Sequence, residues 1–185
     1  MNIFILDNDP VIAAQMQCDK HVVKMIVESA QMLSTVHRMV DGTMERRPSK
    51  SGSMLQYFKL SDDREDILYK ACHFNHPSTV WTRENCRNYE WHYRHFIALC
   101  DEYTYRYGKI HATDTKLRYH LQWKPKNIKY SGYKTPFKLA MAQFPECVVE
   151  SPIESYRNFY QTKQSRFKMV WTTRPKPEWF NYANI

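Results

Sequence analysis

Glycine is nearly absent from this chain: Gly42, Gly52, Gly108 and Gly132 are all that its 185 residues contain. An all-β sandwich or barrel needs a tight turn about every 8–12 residues, and tight turns lean on glycine for positive φ. Long stretches with apolar residues at helical spacing point instead to a mainly α fold. The expected architecture is a compact single-domain helical bundle over residues 1–185, with a long basic loop and an irregular aromatic C-terminal tail at 170–185. The same scarcity removes two functional classes. Neither G-x-G-x-x-G nor G-x-x-x-x-G-K-[ST] can be written from four scattered glycines, so glycine-loop cradles for dinucleotides or triphosphates are excluded as motifs.

Membrane and export signals are missing from the sequence as well. The opening Met1-Asn2-Ile3-Phe4-Ile5-Leu6 lacks a basic flank and meets Asp7 and Asp9 at once. No apolar run approaches the roughly 18 residues of a membrane span. Five well-separated cysteines (Cys18, Cys72, Cys86, Cys100, Cys147) make a poor disulfide framework and contain no C-x-x-C pair. Reduced thiols in a cytoplasm are expected, the host cell's if the chain is viral.

Helix boundaries are punctuated by local chemistry. Asp9-Pro10 starts a helix to about Gln17, since a carboxylate caps free N–H groups and proline at the first position has none to lose. Asp19 caps a second, largely apolar helix to about Val40, ended by Asp41-Gly42. The polar stretch 43–53 reads as a mobile surface loop. A helix is expected over 62–73, broken by Asn75-His76-Pro77-Ser78. A long helix then spans about 78–107, with Gly108 as its left-handed terminator. A short helix covers 113–121. Ser151-Pro152-Ile153-Glu154 has the form of a capping box and predicts a helix to about Lys168.

The formal charge of +8 is concentrated. Between Tyr103 and Lys138 stand Arg106, Lys109, Lys116, Arg118, Lys124, Lys126, Lys129, Lys134 and Lys138, against Asp114 alone. Tyr103, Tyr105, Tyr107, Tyr119, Trp123, Tyr130, Tyr133 and Phe137 are interleaved with them. Cations displace counterions from phosphates and aromatic faces stack on bases, so a nucleic acid is the expected partner. Arg83, Arg87 and Arg94, at near-helical spacing, are expected to add phosphate contacts, and one or more of Trp81, Trp91 and Trp123 to stack on a base. The plainer alternative is a solvated lysine-rich loop with its aromatics turned into the core.

Chemistry has one conspicuous candidate. His21, Lys24, Glu28, Gln31 and Thr35 follow steps of three and four, so they share one face of an otherwise apolar helix. Either that face meets solvent and Lys24–Glu28 is an ordinary surface pair, or it lines a pocket fit for acid–base work. His76, ahead of a helix start, is either a turn residue or an anion contact. His92 and His95 lack a third ligand at suitable spacing, so neither metal nor cofactor is expected.

Asp19-Lys20-His21 with Glu28 seven residues beyond the histidine resembles the catalytic helix of the phage pyrimidine-dimer DNA glycosylases of the endonuclease V type. His76-Pro77 leading into a helix that ends Asp101–Gly108, and the aromatic, basic stretch Trp171–Tyr182, are similar to further parts of that family. The whole chain also looks like a type of small phage protein. The resemblance implies a compact, all-helical enzyme that flips a nucleotide out of duplex DNA and excises a base; separately, a monomer is expected. Glu28 would assist, His21 would lie nearby, and a Schiff base would form through an amine. Asn2 departs from the small second residue of that family, so the nucleophile stays open among the amine of Met1, Lys20, Lys24 and water. RNA as the substrate, a non-catalytic nucleic-acid-binding protein, an enzyme that modifies bases or nucleotides, and a protein that binds an acidic partner are the alternatives.

Overall fold

The structure, a computed structural model, describes residues 1–183, so the last two positions of the expected tail lie outside it. It is mainly α. Seven α-helices occur among the described residues: α1 (Pro10–Gln15), α2 (Asp19–Asp41), α3 (Arg64–Ile67), α4 (Pro77–Arg83), α5 (Cys86–Tyr107), α6 (Ala112–Leu121) and α7 (Pro152–Gln161). One antiparallel hairpin, β1 (Thr43–Pro48) with β2 (Met54–Lys59), stands beside them.

The apolar periodicity of α2 puts it at the centre, because residues such as Val22, Met25, Ile26, Leu33 and Val36 cover more than one face. It packs against α4, α5 and α6, and α1 lies on α5. The chain start, 2–6, is buried and belongs to neither helix nor strand. Its apolar side chains join one contiguous core that reaches as far along the sequence as Trp171 and Phe180. Asp9 caps α1 through the N–H groups of Val11 and Ile12. Ser151 caps α7 through Glu154 N–H at 3.3 Å. Gly108 closes α5 with φ 61, the left-handed conformation that favours glycine.

Several local expectations give way to tertiary contacts. Cys18, not Asp19, is the N-cap of α2, and the Asp19 carboxylate accepts instead from Arg106 at 2.8 Å and from Thr172 N–H at 3.1 Å. The stretch 43–53 is not a loop but the first strand and turn of the hairpin. Pairing is supported across the strands by the Arg47 guanidinium, 4.0 Å from the centroid of the Tyr57 ring. The helix expected over 62–73 shrinks to α3 because Arg38, 1 % exposed, takes its carbonyls. The guanidinium donates to the backbone oxygens of Glu65, Leu68, Tyr69 and Phe58 and to the Glu65 carboxylate. Glu65 and Tyr69 are four residues apart, and carbonyls bound to an arginine are not free to hold a continuous helix.

The single helix expected over 78–107 is two. Asn85 adopts extended backbone and its side chain accepts from Arg87 and Asn88 N–H, which starts α5 afresh after α4. The last helix stops at Gln161, and 162–165 tighten into a 3-10 turn that ends well short of Lys168.

Candidate active site

The face of α2 that carries His21, Lys24 and Glu28 is crossed by the start of the chain. Asn2 fixes that crossing: its side chain accepts from Phe4 N–H at 3.0 Å and donates to the Ala140 carbonyl at 3.1 Å. Its backbone N–H then donates to Glu28 Oε2 at 2.9 Å. The Met1 amine lies 3.7 Å from the same oxygen, and Lys24 Nζ lies 3.3 Å from Oε1. Both readings of the helical stripe therefore hold in part. The Lys24–Glu28 pair forms as an ordinary i,i+4 contact, and it forms at the edge of a cleft. Thr35 does not join it; its hydroxyl donates to the Gln31 carbonyl and accepts from Cys72 N–H.

The cleft has a volume of about 410 Å³, within the range of small-ligand sites. Phe4, Phe144, Phe159 and Phe167 form apolar walls; Lys20, Lys24, Lys163, Arg166 and the Met1 amine supply positive charge; Glu28 is its one carboxylate among the described residues. His21 stacks on Phe4, and its Nδ1 is 2.8 Å from the Tyr160 hydroxyl, which also accepts from Cys18 N–H. Burial, with the neighbouring Lys24, Lys163 and Lys20 charges adding, lowers the His21 pKa to about 3. Its imidazole is neutral near pH 7 and is held at Nδ1 by the Tyr160 hydroxyl. The ring is then an orienting group rather than an acid. His76 also reaches this corner: its Nδ1 caps α4 through Ser78 N–H, while burial and then the Met1 ammonium lower its pKa.

Lys163 was not among the candidates read from sequence. Only 7 % exposed, it sits with Nζ 3.4 Å from the Phe159 ring centroid and 5.0 Å from that of Phe144. It has no carboxylate or hydrogen-bond partner among the described residues. Burial first, then Arg166, lowers its pKa to about 8. One local signal could have found it. Tyr156, Phe159, Tyr160 and Lys163 follow helical spacing, so the lysine continues the apolar face of α7.

The basic segment divides. Arg106 is buried against Glu102 and Asp19, and Arg174 grips Glu102 from the tail. Arg118 pairs with Asp101 and Asp114, Lys124 with Glu90, Lys126 with Asp62 at 3.6 Å, and Lys138 with Glu84. The nine-to-one excess in sequence is thus partly answered by acids that the fold brings from elsewhere. Lys116 lies over the Tyr69 ring, Lys134 over Phe137, and Lys129 is exposed. The aromatics are mostly outside: Trp123 is 65 %, Tyr130 78 % and Tyr133 75 % exposed, which removes the alternative of a segment with its rings in the core.

Two expected stacking residues fail. Trp81 and Trp91 are buried, and their ring N–H groups donate to the carbonyls of Thr135 and Asn8, so neither can reach a base. The three arginines also separate. Arg83, on α4, donates to the Phe74 carbonyl; Arg87 pairs with Glu90; Arg94 is exposed in a shallow groove beside Gln15 and Tyr93. His92 and His95 are buried with different partners, the Thr82 hydroxyl and the Gln17 amide.

Fold and cleft together define a mainly α protein with a carboxylate held among amines in an aromatic-walled cleft. No family model, curated protein or solved structure matches the chain. No helix among the described residues is long and apolar enough to cross a membrane.

Proposed function

We propose that this protein acts on DNA and excises a base, with Glu28 supporting the positive charge that develops on the sugar as the bond from C1′ to the base breaks. The observation that carries the reading is the convergence of Glu28, the backbone N–H of Asn2, the Met1 amine and Lys24 in one cleft. A carboxylate fixed in advance by these donors need not reorganise when the charge appears, which is where electrostatic catalysis gains most. The aromatic walls suit a base taken out of the stack, and the surrounding cations suit its flanking phosphates. Water or an amine of the cleft takes the sugar carbon. Exposed Trp123 and the unpaired surface lysines hold the strand outside the cleft. The reading implies no cofactor, and a monomer in a reducing cytoplasm.

A second reading, a non-catalytic nucleic-acid-binding protein, is favoured by one observation: Tyr119, Trp123, Tyr130 and Tyr133 are each exposed and offer ring faces for stacking outside the cleft. Incubation with ultraviolet-irradiated or chemically modified duplex DNA, followed by chromatography of released bases, separates the two. Base release supports excision. Tight binding to single strands without release from any substrate favours the second reading.

A further inference from the structure

We infer that Lys163 is the amine that captures the sugar aldehyde left when a base has been lost, forming a covalent imine with the protein. The inference rests on the base-excision reading for its substrate and goes beyond it by naming a nucleophile outside α2 and the chain start.

The amines of the cleft are not equivalent. Those of Met1 and Lys24 are already engaged by Glu28, at 3.7 and 3.3 Å. Lys20 is exposed, its Nζ 4.6 Å from the Phe167 ring centroid. Lys163 alone is buried in an aromatic cup with no carboxylate to hold its proton. Desolvation in an apolar pocket and a neighbouring cation are the two devices that make a lysine nucleophilic near neutral pH, and Lys163 has both, the second from Arg166. Its pKa near 8 leaves an appreciable neutral fraction at pH 7.5.

The step balances without any further reagent. The neutral amine adds to C1′ of the open-chain sugar, a C–N bond forms, and the carbonyl π pair moves to oxygen. That oxygen collects two protons, both given up in turn by the amine nitrogen through solvent, and leaves as water. The product is an imine, which borohydride reduces to a stable secondary amine.

The test uses the whole protein and a duplex oligonucleotide with one preformed abasic site. Adducts are trapped with borohydride, digested, and located by mass spectrometry of the peptides. The expected result is an adduct on the peptide carrying Lys163. Trapping should fall at least tenfold in both Lys163→Met and Lys163→Arg, with the arginine variant keeping duplex affinity within a few-fold because the charge remains. An adduct on Met1, Lys20 or Lys24, the absence of any adduct, or wild-type trapping by Lys163→Arg would overturn the assignment. Mapping on the wild type does not depend on either variant folding. Base release is scored separately: release without an adduct at Lys163 sinks this inference alone, whereas an adduct at Lys163 without release from any modified DNA upholds it and sinks the excision reading.

Discussion

The carboxylate of Glu28 accepts the backbone N–H of Asn2 at 2.9 Å, tying the middle of α2 to the second residue of the chain. The contact gives Asn2 a role that its bulk alone would not suggest. With its side chain on Phe4 and Ala140, it pins the chain start across the cleft and presents the Met1 amine to the same carboxylate.

Nucleic-acid binding is expected to fall steeply with salt, because each phosphate neutralised releases counterions. The structure refines which cations matter. Lys129 is exposed and without a carboxylate partner among the described residues, and Lys126 is 77 % exposed with only a 3.6 Å contact to Asp62. Lys126→Glu and Lys129→Glu should each weaken binding to all sequences alike and flatten the slope of log K against log salt by about one. Affinity that is unchanged between low and moderate salt would contradict the electrostatic footprint.

Stability should depend on Arg38. Its buried guanidinium serves four carbonyls and the Glu65 carboxylate, joining α2, β2 and the stretch after α3. Arg38→Met leaves those acceptors unsatisfied and Glu65 without its cation, a loss of about 3–5 kcal/mol. Arg38→Lys should recover little, since an ammonium cannot reproduce the planar fork. Denaturant unfolding of both variants measures this, and a lysine variant as stable as wild type would refute it.

Acid should destabilise the fold earlier than carboxylate protonation requires. Burial lowers the pKa of His21 and His95 to about 3 and of His37 to about 4, from an ordinary 6.5. The unfolded chain therefore binds protons that the folded one refuses. Stability is full above about pH 6.5 and declines as pH falls toward those folded-state values, by about 1.4 kcal/mol per pH unit for each ring. Urea midpoints measured at pH 7.5, 6 and 5 should fall in that order; a flat series would mean that the rings are not buried as neutral groups.

The five cysteines are free thiols, four of them buried. Thermal melting should be the same with and without a thiol reductant, and a marked drop under reductant would show a structural disulfide.

What the sequence could express was local. Asp9, Ser151 and Gly108 mark their helix ends because a cap or a positive φ depends on neighbours only a few residues away. Glu28 stood out for a similar reason, a polar stripe on an apolar helix. Lys163 did not: Phe159 and Arg166 are its neighbours in sequence, but the cleft it lines is completed by Phe144 and α2, distant in the chain. The hairpin was hidden by its charges: Glu45, Arg46 and Arg47 read as loop until Tyr57, Gln56 and Leu55 pair across from them. α3 was overestimated because nothing near Asp62 signals that Arg38 will bind its carbonyls. Charge was overestimated too, since a count over 103–138 cannot see Glu84, Glu90 and Asp62 arriving from other elements. Trp81 and Trp91 show the same limit for aromatics, whose exposure is a tertiary property.

The central claim is that Glu28 does chemistry in this cleft, and Glu28→Gln tests it most directly. The amide keeps the size of the side chain and can still accept from Asn2 N–H, but it carries no charge to set against a developing sugar cation. Base release from modified duplex DNA and duplex affinity should be measured on the same preparations. The account predicts release slowed by about 10²–10³-fold with affinity within a few-fold of wild type. Full release by Glu28→Gln, or none by the wild type from any modified DNA, would contradict it.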